Sequence, residues 1–307
     1  MATLLKIGYS QSDVAVELGV DKSTISRERS RNCSQGAYGT YNAKPAQQRA
    51  AVRAKGKGRK RVIGKAMEVV IRDGLKDQDW SPEQIKGRAD LKGVPMASHE
   101  TIYKFVYEDK ADGGELYKSL RQKRKYRRKR GNTKHRRGQI VGRVGIEKRP
   151  PIVDRQERHG DWEGDTIVGK GQKSAMATMV ERKTLYSVII PLQNREAVHT
   201  AEQITQGMQG LLCKTITFDN GKEFAGHEKI AESLKARVYF ANPYSAWERG
   251  CNENTNGLIR QYLPKSTPLN DISFEQAKAI QDKLNNRPRK KLGFKTPNEV
   301  FLRYCCT

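Results

Sequence analysis

The chain has 307 residues, too many for one small domain and suited to two or three modules. Its 59 Lys and Arg against 34 Asp and Glu leave a formal charge of +25, the mark of a polyanionic partner. No run approaches the roughly 20 apolar residues needed to cross a bilayer, and Met1 to Ser10 lacks the layout of a signal peptide. The five cysteines are scattered, odd in number and without zinc spacing, which fits a reduced cytoplasm.

The charge is unevenly spread. Residues 1–149 carry 36 bases and 16 acids, whereas residues 150–307 carry 23 and 18. The first half is therefore expected to grip the polyanion.

In chain order, SQSDVAVELGVDKSTISRE predicts a helix from an N-cap at Ser10 to about Glu17, with Val14, Ala15 and Leu18 inward. Gly19 supplies a turn, and Asp21 or Ser23 caps a second helix that turns Ile25 inward. This is helix-turn-helix spacing, within a module at residues 1–50. Lys22, Ser23, Thr24, Ser26 and Arg27 face outward, where a recognition helix meets bases and phosphates. An ordinary helical hairpin would share the pattern. Such a module also needs a preceding helix, for which only Met1 to Gly8 is available.

A second helical module is expected at residues 60–118. In it, Ser81 caps a helix with Pro82 at its first position, and Ser98 caps another carrying Ile102, Phe105 and Val106. It reads as a second helix-turn-helix or as a helical connector pair. Residues 119–150 then form a basic linker. Residues 121–149 hold 14 Lys or Arg and one acid, and Arg124, Lys125, Arg127 and Arg128 are expected to track DNA phosphates along a flexible strap.

From His159 the texture changes. WEGDTIVGK, SAMATMVER and YSVIIPL predict three strands, Arg195 to Leu212 a helix, and TITFDN a fourth strand. A helix over His227–Lys235, a strand in RVYFANPY, and helices at Asn252–Tyr262 and Phe274–Asn285 follow. That order predicts an α/β ribonuclease-H-like domain over 151–307: a mixed five-stranded sheet flanked by helices, preceded by an all-α DNA-binding region.

Three acids stand in notable places: Asp165 in the first strand, Asp219 at the end of the fourth, and Glu253 in the first turn of a helix. In this fold the first and fourth strands are neighbours, so the three carboxylates are expected to meet as catalytic and metal-binding groups. Oxygen ligands of this kind suit Mg²⁺ or Mn²⁺, and two such ions can serve an attacking and a leaving oxygen. Singly, each acid has an ordinary explanation. Asp161, Glu163 and Asp165 alternate along one strand face, Asp219 precedes an Asn-Gly turn, and Glu253 complements a helix N-terminus.

The motifs SQSDVAVELGVDKSTISRE, WSPEQIKGRADL, GDWEGDTIVG, TFDNGKEF, YFANPYSAWERGCNENTNGLIRQYLPK and LGFKTPNEVF together resemble the IS-thirty family of bacterial insertion-sequence transposases, over nearly the whole chain. The resemblance implies a DDE transposase of the bacterial nucleoid. It would bind double-stranded DNA at the terminal inverted repeats of its element and act as a homo-oligomer. Two divalent metal ions would serve in cutting those ends and joining them to target DNA. It assigns Asp165, Asp219 and Glu253 to the catalytic triad, with Trp247, Arg249, Gly250, Asn252, Asn254 and Asn256 around the glutamate. Arg249 is expected to hold phosphate and Gly250 to allow a tight turn, while Lys222 and Arg260 are expected against the DNA backbone. The chain is shorter at its N-terminus than members usually are, so the first helix of the first module is expected to be missing. A repressor with an idle catalytic domain is the rival reading. An integrase of retroviral type would need a His/Cys zinc module, and His99 and His135 have no paired cysteines.

Overall fold

The computed structural model describes residues 1–33, 39–56, 62–121, 140–172, 174–243 and 245–305. The chain divides into two compact bodies, Met1–Val62 and Ile63–Thr307.

The first body is helical. α1 (Ala2–Lys6), α2 (Gln11–Glu17) and α3 (Lys22–Asn32) precede a longer α4 (Ala43–Gly56). Ser10 caps α2 in a reciprocal arrangement with Asp13, and Asp21 caps α3 through the amide of Ser23. Gly19 sits at φ +62°, a backbone angle that leaves the α2–α3 turn to glycine. The small core joins Val14, Ala15 and Ile25, with Met1, Leu4 and Leu5 packed on it. α1 is only five residues long and supplies the third side of the core. α4 closes on α3 through Arg49, which donates to the carbonyl of Asn32.

The second body opens with α5 (Lys65–Lys76), α6 (Pro82–Leu91) and α7 (His99–Ala111). Ser81 and Gln84 form a capping box with Pro82 at the first position, and Ser98 caps α7. Ile71, Leu75, Ile85, Ile102, Val106 and Leu116 fill the core between these helices.

After a short α8 (Pro151–Arg155) the sheet follows: β1 (Asp161–Val168), β2 (Ala175–Glu181), β3 (Ser187–Leu192), β4 (Thr215–Phe218) and β5 (Arg237–Phe240). Its order is β3-β2-β1-β4-β5, antiparallel from β3 to β1 and parallel from β1 to β5. This is the mixed sheet of a ribonuclease-H-like fold. Alternation divides the strands between two cores. Trp162, Met179, Ile190, Phe218 and Phe240 face α9 (Ala197–Gly207) and α10 (His227–Ser233). Ile167, Met176 and Ile189 face α11 (Gly250–Tyr262) and α12 (Phe274–Asn285), through Leu258, Ile259, Ala277 and Leu284.

The helical module rests on this domain. Arg88 of α6 grips Glu299 of α13 (Pro297–Cys305) with both amino groups, and Gln84 donates to the carbonyl of Pro288. Gly87 allows the approach, because a Cβ there would lie 2.3 Å from the ring of Phe294. The basic linker is also shorter than expected. Arg124, Lys125, Arg127 and Arg128 lie outside the described residues. From Ile140 onward, however, the segment is built into the fold: Ile140 is buried, Val144 accepts from the amide of Phe240, and buried Arg149 donates to Thr217. Apolar and paired side chains at 140–149 give this stretch something to bury.

Candidate active site

β1 and β4 lie side by side in parallel, with Glu163 opposite Thr217, so Asp165 within β1 comes level with Asp219 just past the end of β4. Asp165 lies two residues beyond Glu163 on one strand, and Asp219 directly follows Phe218 on the other. The two carboxylates share a single cation. The Arg249 guanidinium stands 3.4 Å from Asp165 Oδ1 and 3.7 Å from Asp219 Oδ2.

Burial, and secondarily the charge of Asp219, raise the Asp165 carboxyl above the usual carboxylate range against the opposing pull of Arg249. Local bonds hold both acids in place. Asp219 Oδ1 accepts from the amide of Gly221 at 2.9 Å, and Asp165 Oδ2 accepts from Asn256 Nδ2 at 2.8 Å. Asn256 in turn accepts from Thr178 of β2.

Asn256 fixes α11 over the strand, one turn from Glu253. Residues three apart on a helix are neighbours, with Cβ atoms roughly 5–6 Å apart. Glu253 therefore stands on the same side of α11 as the residue bonded to Asp165, and its side chain is exposed. Among the described residues, no three carboxylates are gathered into a preformed cage for a metal ion. Two meet across Arg249, and the third stands on the helix beside them.

The alternating acids of β1 do not line a wet face. Asp161 is buried, bonded by Arg158 through both oxygens at 2.8 Å and by Thr215. Glu163 is buried against Arg182 at 2.6 Å and accepts the amide of Asn252 at 3.0 Å. It thus ties the first turn of α11 to the sheet. Gly250 is already helical at φ −60°, so no special turn is needed there.

Arg260, expected against the DNA backbone, is half-buried. Its amino groups donate to the carbonyls of Val168 and Leu263, so it straps the end of α11 to β1. Lys222 is exposed in the short turn of helix Lys222–Phe224. The sequence reading did not single out Glu223 and Arg195. Buried Glu223 accepts from Thr166 at 2.7 Å and from Arg195 at 2.8 Å, beside Asp165. Burial works against its charge, but a backbone hydrogen bond, Arg195 and Thr166 outweigh it and hold the carboxyl below the usual range. The acid two residues past Asn220-Gly221 was the available signal. In the first body, Lys22, Ser23, Thr24, Ser26 and Arg27 are all exposed on α3 while Ile25 is buried. Arg27 folds back to bond Ser23.

The integrase core domain family matches residues 155–246, a span that holds Asp165 and Asp219 and stops short of Glu253. The transposase for insertion sequence element IS4351 of Bacteroides fragilis is 48% identical over 303 residues, 98% of this chain and 92% of that protein. Transposase InsI for insertion sequence element IS30A of Escherichia coli is 35% identical over 94% of this chain and 78% of its own length. This chain belongs to the IS30 family of insertion-sequence transposases. The transposase for element IS1086 of Cupriavidus metallidurans is 39% identical over 94% of the chain and 87% of its own. Among solved structures, the catalytic core domain of BIV integrase is similar with a TM-score of 0.38 at 20% identity, covering 47% of this chain and 95% of that one. Among the described residues of this transposase, no helix is long and apolar enough to cross a membrane.

Proposed function

We propose that this transposase cuts the ends of its own insertion sequence and joins them to target DNA, as a homo-oligomer in the bacterial cytoplasm, with Asp165, Asp219 and Glu253 as its catalytic acids. The observation that carries the reading is the convergence of Asp165 and Asp219 on one cation beneath the helix that bears Glu253. Two adjacent carboxylates that already share a guanidinium suit a divalent cation, since both offer hard oxygen ligands. Asp165, Asp219 and Glu253 would hold Mg²⁺ or Mn²⁺, which supplies charge stabilisation at the attacked phosphorus and activates the attacking oxygen, most simply as a pair of ions.

The chain's own groups do the positioning. Asn256 holds Asp165, the amide of Gly221 holds Asp219, and Glu163 holds the first turn of α11, the turn that carries Glu253. Arg249 keeps the two like charges together and offers a guanidinium to a phosphate brought to the site. No side-chain nucleophile is required. Cys251, the nearest thiol in sequence to Glu253, has its pKa pushed up to about 11 by burial and stays protonated. The exposed row Lys22, Ser23, Thr24, Ser26 and Arg27 on α3 would read the terminal inverted repeats.

The test is strand cleavage and joining on linear DNA carrying the element's ends, with Mg²⁺ or Mn²⁺. Native protein should nick and join. Asp219→Asn and Glu253→Gln should lose both reactions while still binding DNA. Binding without cleavage by native protein would favour a repressor instead.

A further inference from the structure

A cavity of about 570 Å³ opens within the second body, between the α6 end of the helical module and the catalytic domain. α11 forms one wall, but not with the face that carries the chemistry. Cys251, Asn254 and Leu258 line the cavity. Glu253 and Asn256 stand two residues on from Cys251 and Asn254, about 200° around a helix of 3.6 residues per turn. The cavity is therefore on the far side of α11 from Asp165.

Its lining is rich in cations, and the nearby acids are engaged elsewhere. Glu163 pairs with Arg182, Glu83 with Lys290, and Glu248 accepts the amide of Asn242. Arg121, Arg287, Arg289 and Lys291 remain, none with a carboxylate hydrogen-bond partner among the described residues; Lys291 donates to the amide oxygen of Gln156. Arg287 is 2% exposed and donates to the neutral amides of Gln84 and Gln261. Arg289 is 6% exposed; it donates to the carbonyl of Leu284, and its Nε has no partner. Arg121 is exposed, with its guanidinium over Gly257 of α11. The nearby carboxylate Asp79 is occupied by Lys283 and Tyr262.

Burying a cation is costly unless an anion or a full set of hydrogen bonds compensates it. Here two buried guanidinium groups and a third at the rim are kept together. Burial, with the repulsion of Arg287 and Arg121, presses the Arg289 pKa down to about 10. Tyr262 and the charge of Asp79 offset part of the cost at Arg287, whereas no carboxylate bonds Arg289 among the described residues. Guanidinium forks match the oxygens of a phosphate, and the bound anion would relieve all three repulsions at once.

We propose that Arg121, Arg287 and Arg289 form a phosphate-binding site whose ligand is a backbone phosphodiester of the DNA strand held by the transposase. The identity of that strand rests on the function proposed above; the anion site rests on the cavity itself. α11 would then separate two phosphate positions, one at the acids and one at the arginines. A helix with its side chains is roughly 10 Å across, about three nucleotides at 3.4 Å each. The site would set the strand's register on the enzyme and carry no base preference.

The experiment measures binding of the full chain to a labelled duplex carrying the element's end. It is done in EDTA across a salt series, for native protein, Arg121→Gln, Arg289→Gln and the control Lys229→Gln. Loss of one phosphate contact should make the plot of log K against log salt shallower by about 0.9. Arg121→Gln and Arg289→Gln should each show that change and weaken binding equally for specific and unrelated duplexes. Lys229→Gln, paired with Glu202 on the opposite surface helices, should keep the native slope. Arg121 is exposed, so its variant remains informative even if Arg289→Gln folds poorly.

Native slopes in Arg121→Gln and in folded Arg289→Gln would overturn the proposal. So would protection of native protein by inorganic pyrophosphate in a melt, lost in both variants, with DNA slopes unchanged; the site would then serve a small free anion. Metal-dependent nicking by native protein alongside unchanged variant slopes would sink this inference alone. Native protein that neither binds nor nicks DNA would sink the function it builds on.

Discussion

Glu163→Ala tests how α11, the helix that bears Glu253, is held. Glu163 is 1% exposed on its side chain and Arg182 6%, with 2.6 Å between Oε1 and Nη1. Removing one partner of a buried pair strands the other, at a cost of about 3–5 kcal/mol. Arg182 would keep only the carbonyl of Val153 and the distant, mostly exposed Asp154, 3.8 Å away. The amide of Asn252 would also lose its acceptor. At roughly 2–4 °C per kcal/mol for a body of this size, the melting temperature of Ile63–Thr307 should fall by roughly 10 °C. Circular dichroism melts measure it. Glu163→Met combined with Arg182→Met should recover most of the loss, because an apolar pair of similar volume is often tolerated at such sites. Hydrogen exchange at the Asn252 amide should rise in the single variant. A fall of under about 2 °C, or a double variant as unstable as the single, would refute the account of Glu163 as the anchor of α11.

Two further predictions concern the helical parts. Glu299 has its pKa held down to about 2, first by its hydrogen bonds to Arg88. A depressed carboxyl stabilises the fold above the unfolded value near 4.5 and loses that contribution as pH falls toward 2. Because the Glu299 side chain is 40% exposed, the contribution is about 1 kcal/mol rather than the full shift. Glu299→Gln should therefore melt a few degrees lower at pH 7, with the gap narrowing steadily below pH 4.5; a gap constant down to pH 3 would contradict this. Ile25→Ala should cost about 2–5 kcal/mol, comparable to the whole stability of a body as small as Met1–Val62. Limited proteolysis should then cut within Met1–Val62 while Ile63–Thr307 melts as in the native protein; equal resistance in both proteins would show that Val14 and Ala15 suffice without Ile25.

Much of the fold was legible because its signals are local. Ser10, Ser81 and Ser273 each cap a helix with the acid or amide three residues on, and the helix over Phe274–Asn285 is bounded as expected. The strands were legible in their alternation. What escaped were helices whose cue is propensity or spacing without a clear cap. α4 is rich in Ala, Arg, Lys and Gln, and α5 places Met67, Ile71 and Leu75 one turn apart behind an uncapped Gly64. At the site, the three acids were visible as residue types in unusual positions, but their partners were not. Arg249 between two aspartates, Asn256 across to β1 and β2, and Arg195 on Glu223 are contacts between residues 28 to 91 positions apart, which only the folded sheet brings together. The arginines around the cavity were hidden for the same reason, since Arg121 and Arg287 lie in separate parts of the chain.

β1 gives its three acids three different duties on one face: Asp161 braces the entry of the strand, Glu163 moors a helix, and Asp165 meets Asp219. Strand side chains repeat every two residues, so a slip of one residue would turn all three toward α9 and α10 and bring Trp162 and Gly164 out. Three charges would enter an oily layer, and Asp165 would part from Asp219. Loss of a single codon at the start of this strand would thus disturb the packing of the sheet along with the position of Asp165, so that fold and site would fail together.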